Sequence, residues 1–125
     1  MRYLKPRPTT YKGIEMRSRL EAAFAQFLDS RGKSWEYEPR CYADQEGQCL
    51  PGFRIGHNAY LEVKPLTADF DQALAAMHRI IATDPHANLS VWARTHEGWR
   101  MVRNCSPLNG DGTCDCARRR WTVPT

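Results

Sequence analysis

The 125-residue chain has no hydrophobic run that approaches the roughly 18 residues needed for a membrane-spanning helix. Its first residues, MRYLKPRPTTYKGIEMR, carry charges throughout and lack the apolar segment of a signal peptide. We therefore expect no membrane insertion and a cytoplasmic location. In that compartment, thiols that are free or metal-bound are commoner than disulfides.

A strong charge of one sign is also lacking, since 18 basic and 14 acidic side chains leave a net charge of +4. This balance is compatible with a polyanionic partner but does not require one. A hydrophobic content of 42% excludes global disorder, and the length favours one domain. We expect a basic extended arm over residues 1–12, a domain over 13–104 and a Cys/Arg-rich tail over 105–125. Basic runs of this kind are more often solvated tails than binding arms.

Apolar residues recur at helical spacing in two segments, which predicts helices over about 15–30 and about 68–82. Thr67 is the expected N-cap of the second helix. Five segments have the composition of strands: SWEYEP, GFRIG, AYLEVKP, NLSVWAR and GWRMVRN. The resulting order is helix, three strands, helix, two strands. This order predicts an α/β domain with a mixed central sheet flanked by helices.

The stretch CLPGFRIGHNAYLEVKP contains an acid and a base two positions apart, Glu62 and Lys64. On a strand they share one face, while Leu61 and Val63 share the other. A carboxylate is a hard oxygen ligand for Mg²⁺, and an ammonium group can orient water or stabilise charge on phosphorus. The alternative is a surface ion pair, which a three-residue pattern on its own favours.

The wider context favours the first interpretation. The run YKGIEMRSRLEAAFAQFLDSRGKSWEYEP, followed by LPGFRI and YLEVKP, resembles the PD-(D/E)XK, or restriction-endonuclease-like, nuclease superfamily in its small phage and bacterial form. The resemblance extends from about Tyr11 to Pro65 and includes the order and spacing of the motifs. It implies a restriction-endonuclease-like core and a DNA endonuclease that hydrolyses phosphodiesters with Mg²⁺ or Mn²⁺. It also implies a bacterial or phage-infected host cell.

The resemblance also assigns roles to individual residues. Glu62 matches the metal-binding acid, Lys64 the catalytic lysine, and Glu21 the acid of the first helix that helps to hold the metal or its water. Arg17 and Arg19 of the same helix would contact phosphate. Outside the resemblance, the charge of the tail makes Arg118, Arg119 and Arg120 further candidate DNA-binding residues. The alternative for Glu21 is an exposed glutamate paired with Arg17 one helical turn before it.

Gly52 departs from the family pattern, because the family motif PDF is PGF here. The missing aspartate is the main metal ligand of the family, and glycine offers no side-chain oxygen. We therefore expect weak or absent cleavage. Three explanations stay open: a natural pseudo-nuclease, an inactivated variant of an active enzyme, or a displaced acid such as Asp44 or Glu46. A dead nuclease fold would act instead as a DNA- or protein-binding module, for example a phage-encoded inhibitor. Homodimerisation, which would allow cleavage of two strands, also stays open.

Three of the five cysteines cluster in the tail segment CSPLNGDGTCDC, at Cys105, Cys114 and Cys116. Its glycines would let the backbone fold around an ion, and a tetrahedral zinc site needs four ligands. Cys41, Cys49 or a histidine could supply the fourth. The spacing is not a standard C-x-x-C pair, so thiols in a loose tail are the alternative.

Overall fold

The computed structural model describes residues 8–39, 42–43, 49–81 and 86–105. Two helices and nine strands lie in these ranges, and several of the strands are only two or three residues long. In chain order they are β1 (Thr9–Tyr11), β2 (Ile14–Met16), α1 (Arg19–Ser30), β3 (Trp35–Tyr37), β4 (Tyr42–Ala43), β5 (Cys49–Leu50), β6 (Phe53–Ile55), β7 (Ala59–Val63), α2 (Phe70–Ile81), β8 (Asn88–Thr95) and β9 (Gly98–Cys105).

Five strands form the central sheet in the order β3-β6-β7-β8-β9. The β7–β8 pair is parallel, and the other neighbouring pairs are antiparallel. Helix α2 connects the two parallel strands, as a parallel pair requires a crossover. The prediction of an α/β domain with a mixed sheet and two helices is therefore confirmed. Two short antiparallel pairs, β1–β2 and β4–β5, accompany this sheet.

The helices pack on opposite faces of the sheet, as the alternation along β7 shows. Leu61 and Val63 belong to the hydrophobic cluster that includes α1. Tyr60 belongs to the cluster that includes α2. The α1 cluster is rich in aromatic residues: the ring of Phe24 is fully buried and lies 5.3 Å from that of Phe53 and 5.0 Å from that of Trp99. Such contacts fix the height and direction of α1 over the sheet.

Helix α1 begins at Arg19, four residues after the predicted start at 15. Residues 14–16 instead form β2, which pairs with β1. The physical start signal is Ser18, whose side chain accepts a hydrogen bond from the Glu21 N–H at 3.1 Å. Ser followed three positions later by Glu is the sequence pattern of a capping box, although here the Glu21 carboxylate accepts from the Ser18 hydroxyl. The N-cap of α2 also differs from the prediction, because Asp69 rather than Thr67 accepts the Gln72 N–H, at 3.0 Å.

The N-terminal hairpin is attached to α1 through Asp29. Its carboxylate accepts hydrogen bonds from the side chains of Tyr11 and Trp35. It also forms an ion pair with Lys12. Residues 9–11, at the end of the predicted arm, are therefore strand β1. Cys105, the first residue of the predicted tail, ends β9. Both helices have 12 residues, and no helix in the described ranges is long and apolar enough to cross a membrane.

Candidate functional site

Glu21 lies in the first turn of α1 and is only 7% exposed, although a helix glutamate ordinarily faces solvent. The hydroxyls of Ser18 and Tyr37 both donate to Glu21 Oε1 at 3.2 Å. An Arg17 guanidinium nitrogen lies 3.7 Å from Glu21 Oε2. The Arg17 pair that we gave as the alternative is thus present. The carboxylate is nevertheless buried and points inward.

Glu62, on β7, is more deeply buried, with 3% of its surface exposed. The backbone N–H of Gly52 donates to Glu62 Oε1 at 2.7 Å. Lys64 Nζ lies 3.4 Å from Glu62 Oε2. The acid and the lysine therefore contact each other, but within a buried site rather than on the surface.

The two carboxylates converge on Gly52, which lies between β5 and β6. A Cβ atom at this position would lie 3.0 Å from Glu62 Oε1 and 3.4 Å from Glu21 Oε2. Gly52 is not among the residues with positive φ, so its backbone conformation does not demand glycine. The Gly52 carbonyl accepts the Glu38 N–H at 2.7 Å, which ties this segment to the end of β3. Glycine therefore occupies the point where a third acid would join the other two.

Burial dominates the electrostatics of both acids. Burial raises the pKa of Glu62 to about 7, with the neighbouring Lys64 opposing the rise and Glu21 adding to it. Burial likewise raises the pKa of Glu21, and the positive charge of Arg17 opposes that rise. Two carboxylates held together in this way favour either a proton or a cation between them.

Arg17 connects the site to a residue that the sequence analysis did not single out, Glu38. The Nε of Arg17 lies 2.6 Å from Glu38 Oε1. The Tyr37 hydroxyl accepts the Arg17 N–H at 3.0 Å. Both partners belong to the WEYEP segment, which we interpreted only as a strand. Arg17 is thus held between Glu21 and Glu38, whereas Arg19 begins α1 and is exposed.

The remaining predicted residues lie elsewhere or outside the described ranges. Cys105 is buried against the α2 side of the sheet, with its sulfur 3.4 Å from His78 Nε2. Within the described ranges, no three His, Cys, Asp or Glu side chains are grouped so as to hold a metal ion. The predicted residues outside those ranges are Cys41, Asp44, Glu46, Cys114, Cys116, Arg118, Arg119 and Arg120.

The side-chain oxygens around Gly52 come from two carboxylates, which are hard oxygen donors. Mg²⁺ in proteins is held by one or two carboxylates and takes its other oxygens from water and substrate phosphate. Glu21 Oε2 and Glu62 Oε1, the oxygens nearest to Gly52, would hold Mg²⁺ or Mn²⁺ here. The ion would supply positive charge to a phosphate group.

Comparisons with known proteins add no family assignment. No family model matches the chain, and searches of curated proteins and of solved structures gave no significant match.

Proposed function

We propose that the chain is a nuclease of the PD-(D/E)XK type, built for Mg²⁺-dependent hydrolysis of DNA phosphodiesters, and that Gly52 impairs its cleavage. The observation that carries the proposal is the convergence of two buried carboxylates, from α1 and β7, on the Cβ position of Gly52. That is the position of the missing family aspartate. Structural glutamates are rarely buried in pairs, because each pays a desolvation penalty.

Lys64 is the third component of the proposed site. Its ammonium group lies 3.4 Å from Glu62 Oε2, and its side chain as a whole is 19% exposed, so Lys64 is more accessible to solvent than Glu62. An ammonium group in that position can orient a water molecule towards a bound phosphate and stabilise the charge that develops on it. Arg17, which precedes the N-cap of α1 and lies 3.7 Å from Glu21, supplies a second positive charge.

The impairment follows from the geometry around Glu62. Gly52 contributes no carboxylate, and its N–H donates to the Glu62 oxygen that a cation would need. The raised pKa of Glu62 adds to this, because close to neutral pH a large fraction of the side chain is protonated. Both effects weaken cation binding at the pH at which a cytoplasmic nuclease would act.

The test is nicking of supercoiled plasmid DNA with Mg²⁺ or Mn²⁺ by the native chain, Gly52→Asp and Gly52→Asn. We expect little or no nicking by the native chain and a gain of at least tenfold with Gly52→Asp. Asparagine has the shape of aspartate without its charge, so Gly52→Asn should gain nothing. Adding Lys64→Ala to Gly52→Asp should abolish the gain. Robust nicking by the native chain would refute the impairment, and no gain with Gly52→Asp would refute the nuclease assignment.

One observation favours a second candidate, a nuclease fold that only binds DNA or a protein partner. Each buried carboxylate already has a cationic partner in the chain, Lys64 for Glu62 and Arg17 for Glu21. In the described part of the chain, no buried side-chain nitrogen or oxygen lacks a hydrogen-bond partner. A cation is therefore not needed to balance this site. This candidate predicts salt-sensitive DNA binding, or a stable protein complex, that survives both EDTA and Glu62→Gln.

A further inference from the structure

Three aromatic rings that the glutamate site does not use lie side by side between α1 and the β8–β9 hairpin. They belong to Phe27, Trp92 and Trp99, and each side chain is partly exposed. The ring centroid of Phe27 lies 5.9 Å from that of Trp92 and 6.1 Å from that of Trp99. All three rings pack on the fully buried ring of Phe24, with centroids no more than 5.9 Å from it. The core therefore holds one side of this group, and the other side reaches the surface.

Two exposed arginines lie over these rings. The guanidinium carbon of Arg31 is 5.3 Å from the ring centroid of Phe27, and that of Arg94 is 5.6 Å from the ring centroid of Trp99. Both contacts follow from local structure, because Arg31 comes one helical turn after Phe27 and Arg94 is the cross-strand partner of Trp99. Together with Trp92, these four residues form the arginine–aromatic surface.

The positive charge of this surface is not balanced by acids of the described ranges. Neither Arg31 nor Arg94 forms an ion pair there, whereas most other described arginines do: Arg17, Arg54, Arg100 and Arg103. The acids closest to the two in sequence, Asp29 and Glu97, form their ion pairs with other cations. The surface is therefore complementary in charge to an anionic partner.

The arrangement of charges and rings suits a single nucleic-acid strand. Three successive distances, 5.3, 6.1 and 5.6 Å, link the two guanidinium carbons through the rings of Phe27 and Trp99. The charges are therefore no farther apart than the sum of these lengths, which a strand of a few nucleotides spans. Guanidinium groups bind phosphate, and nucleobases stack on aromatic rings and on guanidinium planes alike. The bases of a duplex are already stacked on one another, whereas those of an unpaired strand are open to the rings.

We propose that the arginine–aromatic surface binds single-stranded nucleic acid, with phosphates at Arg31 and Arg94 and bases stacked on the rings. DNA and RNA offer the same phosphate and base chemistry, so the test includes both. None of the five residues belongs to the glutamate site, and Arg31 lies ten positions after Glu21, about 15 Å along the axis of α1. The inference therefore does not depend on the nuclease proposal.

The primary test is fluorescence anisotropy of a labelled thymidine oligonucleotide of about 15 nucleotides, titrated with the full chain at several salt concentrations in EDTA. The native chain should bind at low salt, and the logarithm of its association constant should fall linearly with that of the salt concentration. Arg31→Gln and Arg94→Gln should each reduce the magnitude of this slope by about 0.7, the contribution of one phosphate contact on a single strand. The matched control Arg79→Gln, which removes an exposed arginine of α2, should leave the slope unchanged. A uridine oligoribonucleotide of the same length shows whether RNA binds as DNA does.

A second measurement reports base stacking through tryptophan fluorescence. The unlabelled thymidine oligonucleotide should quench the fluorescence of the native chain, because bases stacked on Trp99 and Trp92 contact the indole rings. Trp99→Phe should reduce the quenching. Trp35→Phe should retain it, since Trp35 lies outside the arginine–aromatic surface and donates its indole N–H to Asp29.

Four results would overturn the proposal. The first is a native chain that does not bind the thymidine oligonucleotide at low salt. The second is equal binding of a duplex of the same length, without quenching. The third is equal displacement of the oligonucleotide by polyglutamate of the same charge, which would mean that charge alone is recognised. The fourth is a slope that Lys64→Ala reduces and that Arg31→Gln and Arg94→Gln do not, which would place the strand at the glutamate site.

Discussion

Replacing Gly52 by aspartate should make the stability of the protein depend on divalent cations. The new Cβ would lie 3.0 Å from Glu62 Oε1 and 3.4 Å from Glu21 Oε2, so a third carboxylate would join two buried ones. The backbone does not oppose the change, because Gly52 is not among the residues with positive φ. The effect therefore comes from charge and close contact.

The size of the effect without a cation follows from the distances. Two like charges about 4 Å apart at an effective dielectric constant of about 20 repel each other by roughly 4 kcal/mol. Protonation of one carboxyl limits the cost, at about 1.4 kcal/mol for each pH unit by which its pKa must rise. We expect a loss of roughly 2–4 kcal/mol near pH 7.5, which lowers Tm by on the order of 10–20 °C in a domain of this size.

A bound cation should reverse most of that loss. An ion that binds only the folded protein stabilises it by about 2.7 kcal/mol at a concentration 100 times its Kd. The assay is thermal unfolding of the native chain, Gly52→Asp and Gly52→Asn, in EDTA and across a titration with Mn²⁺ or Mg²⁺. Gly52→Asn keeps the steric contact with Glu62 but adds no charge. The native chain in the same buffers controls for effects of EDTA and of the added cation that do not involve position 52.

Two results would refute this reasoning. If Gly52→Asp and Gly52→Asn lose equal stability in EDTA and gain equally from Mn²⁺, the carboxylates do not form a cation site. If Mn²⁺ stabilises the native chain against unfolding as much as it stabilises Gly52→Asp, glycine at position 52 does not weaken cation binding. Neither result depends on whether DNA is cleaved.

Three further predictions concern stability. The pKa of Glu62 is raised from 4.5 to about 7 in the folded chain. Between these two pH values the folded chain keeps a proton that the unfolded chain has released, so the free energy of unfolding falls as the pH rises from about 4.5 to about 7. Glu62→Gln should reduce this fall by up to about 3 kcal/mol in urea unfolding at pH 5 and 8, and an unchanged pH dependence would contradict it. Asp29, with its pKa lowered to about 2 mainly by the Tyr11 hydrogen bond, stabilises the fold above pH 3.8 and ceases to do so towards pH 2. Asp29→Asn should thus lower Tm at pH 7 but hardly at pH 2, whereas an equal loss at both would exclude a role for the charge. Phe24→Ala should cost about 3–5 kcal/mol in urea unfolding, against at most about 0.5 kcal/mol for exposed Ile14→Ala, and similar losses would contradict the packing assigned to Phe24.

The helices and the five strands of the sheet could be predicted because their apolar residues recur with the periods of helix and strand. The start of α1 could not be predicted from that pattern alone. Met16 precedes Leu20 by four positions, which is helical spacing, yet Met16 is buried as part of β2. The local signal was present in Ser18, whose side chain caps the first turn of the helix, and in Glu21 three positions later.

The candidate site was only partly predictable. Glu62 and Lys64 are two positions apart in the sequence, and Glu21 lies in the segment RSRLEA, which forms part of the run that resembles the nuclease superfamily. Glu38 joins the site because β3 pairs with β6, so that its N–H meets the Gly52 carbonyl. His78 meets Cys105 because α2 packs near the end of β9. Contacts between distant segments leave no local pattern, and one sequence does not show them.

Gly52 has a role of its own in this arrangement. Three buried carboxylates would need a cation, but two can be balanced by two positive side chains, and Lys64 and Arg17 stand beside Glu62 and Glu21. Glycine also lets a backbone N–H approach Glu62 Oε1 to 2.7 Å, a contact that a Cβ atom would crowd. The same residue thus removes one acid and supplies a donor to another. With glycine at this position, the two carboxylates are balanced by positive side chains of the chain itself. For that reason the stability of Gly52→Asp, rather than of the native chain, is where dependence on a cation should appear.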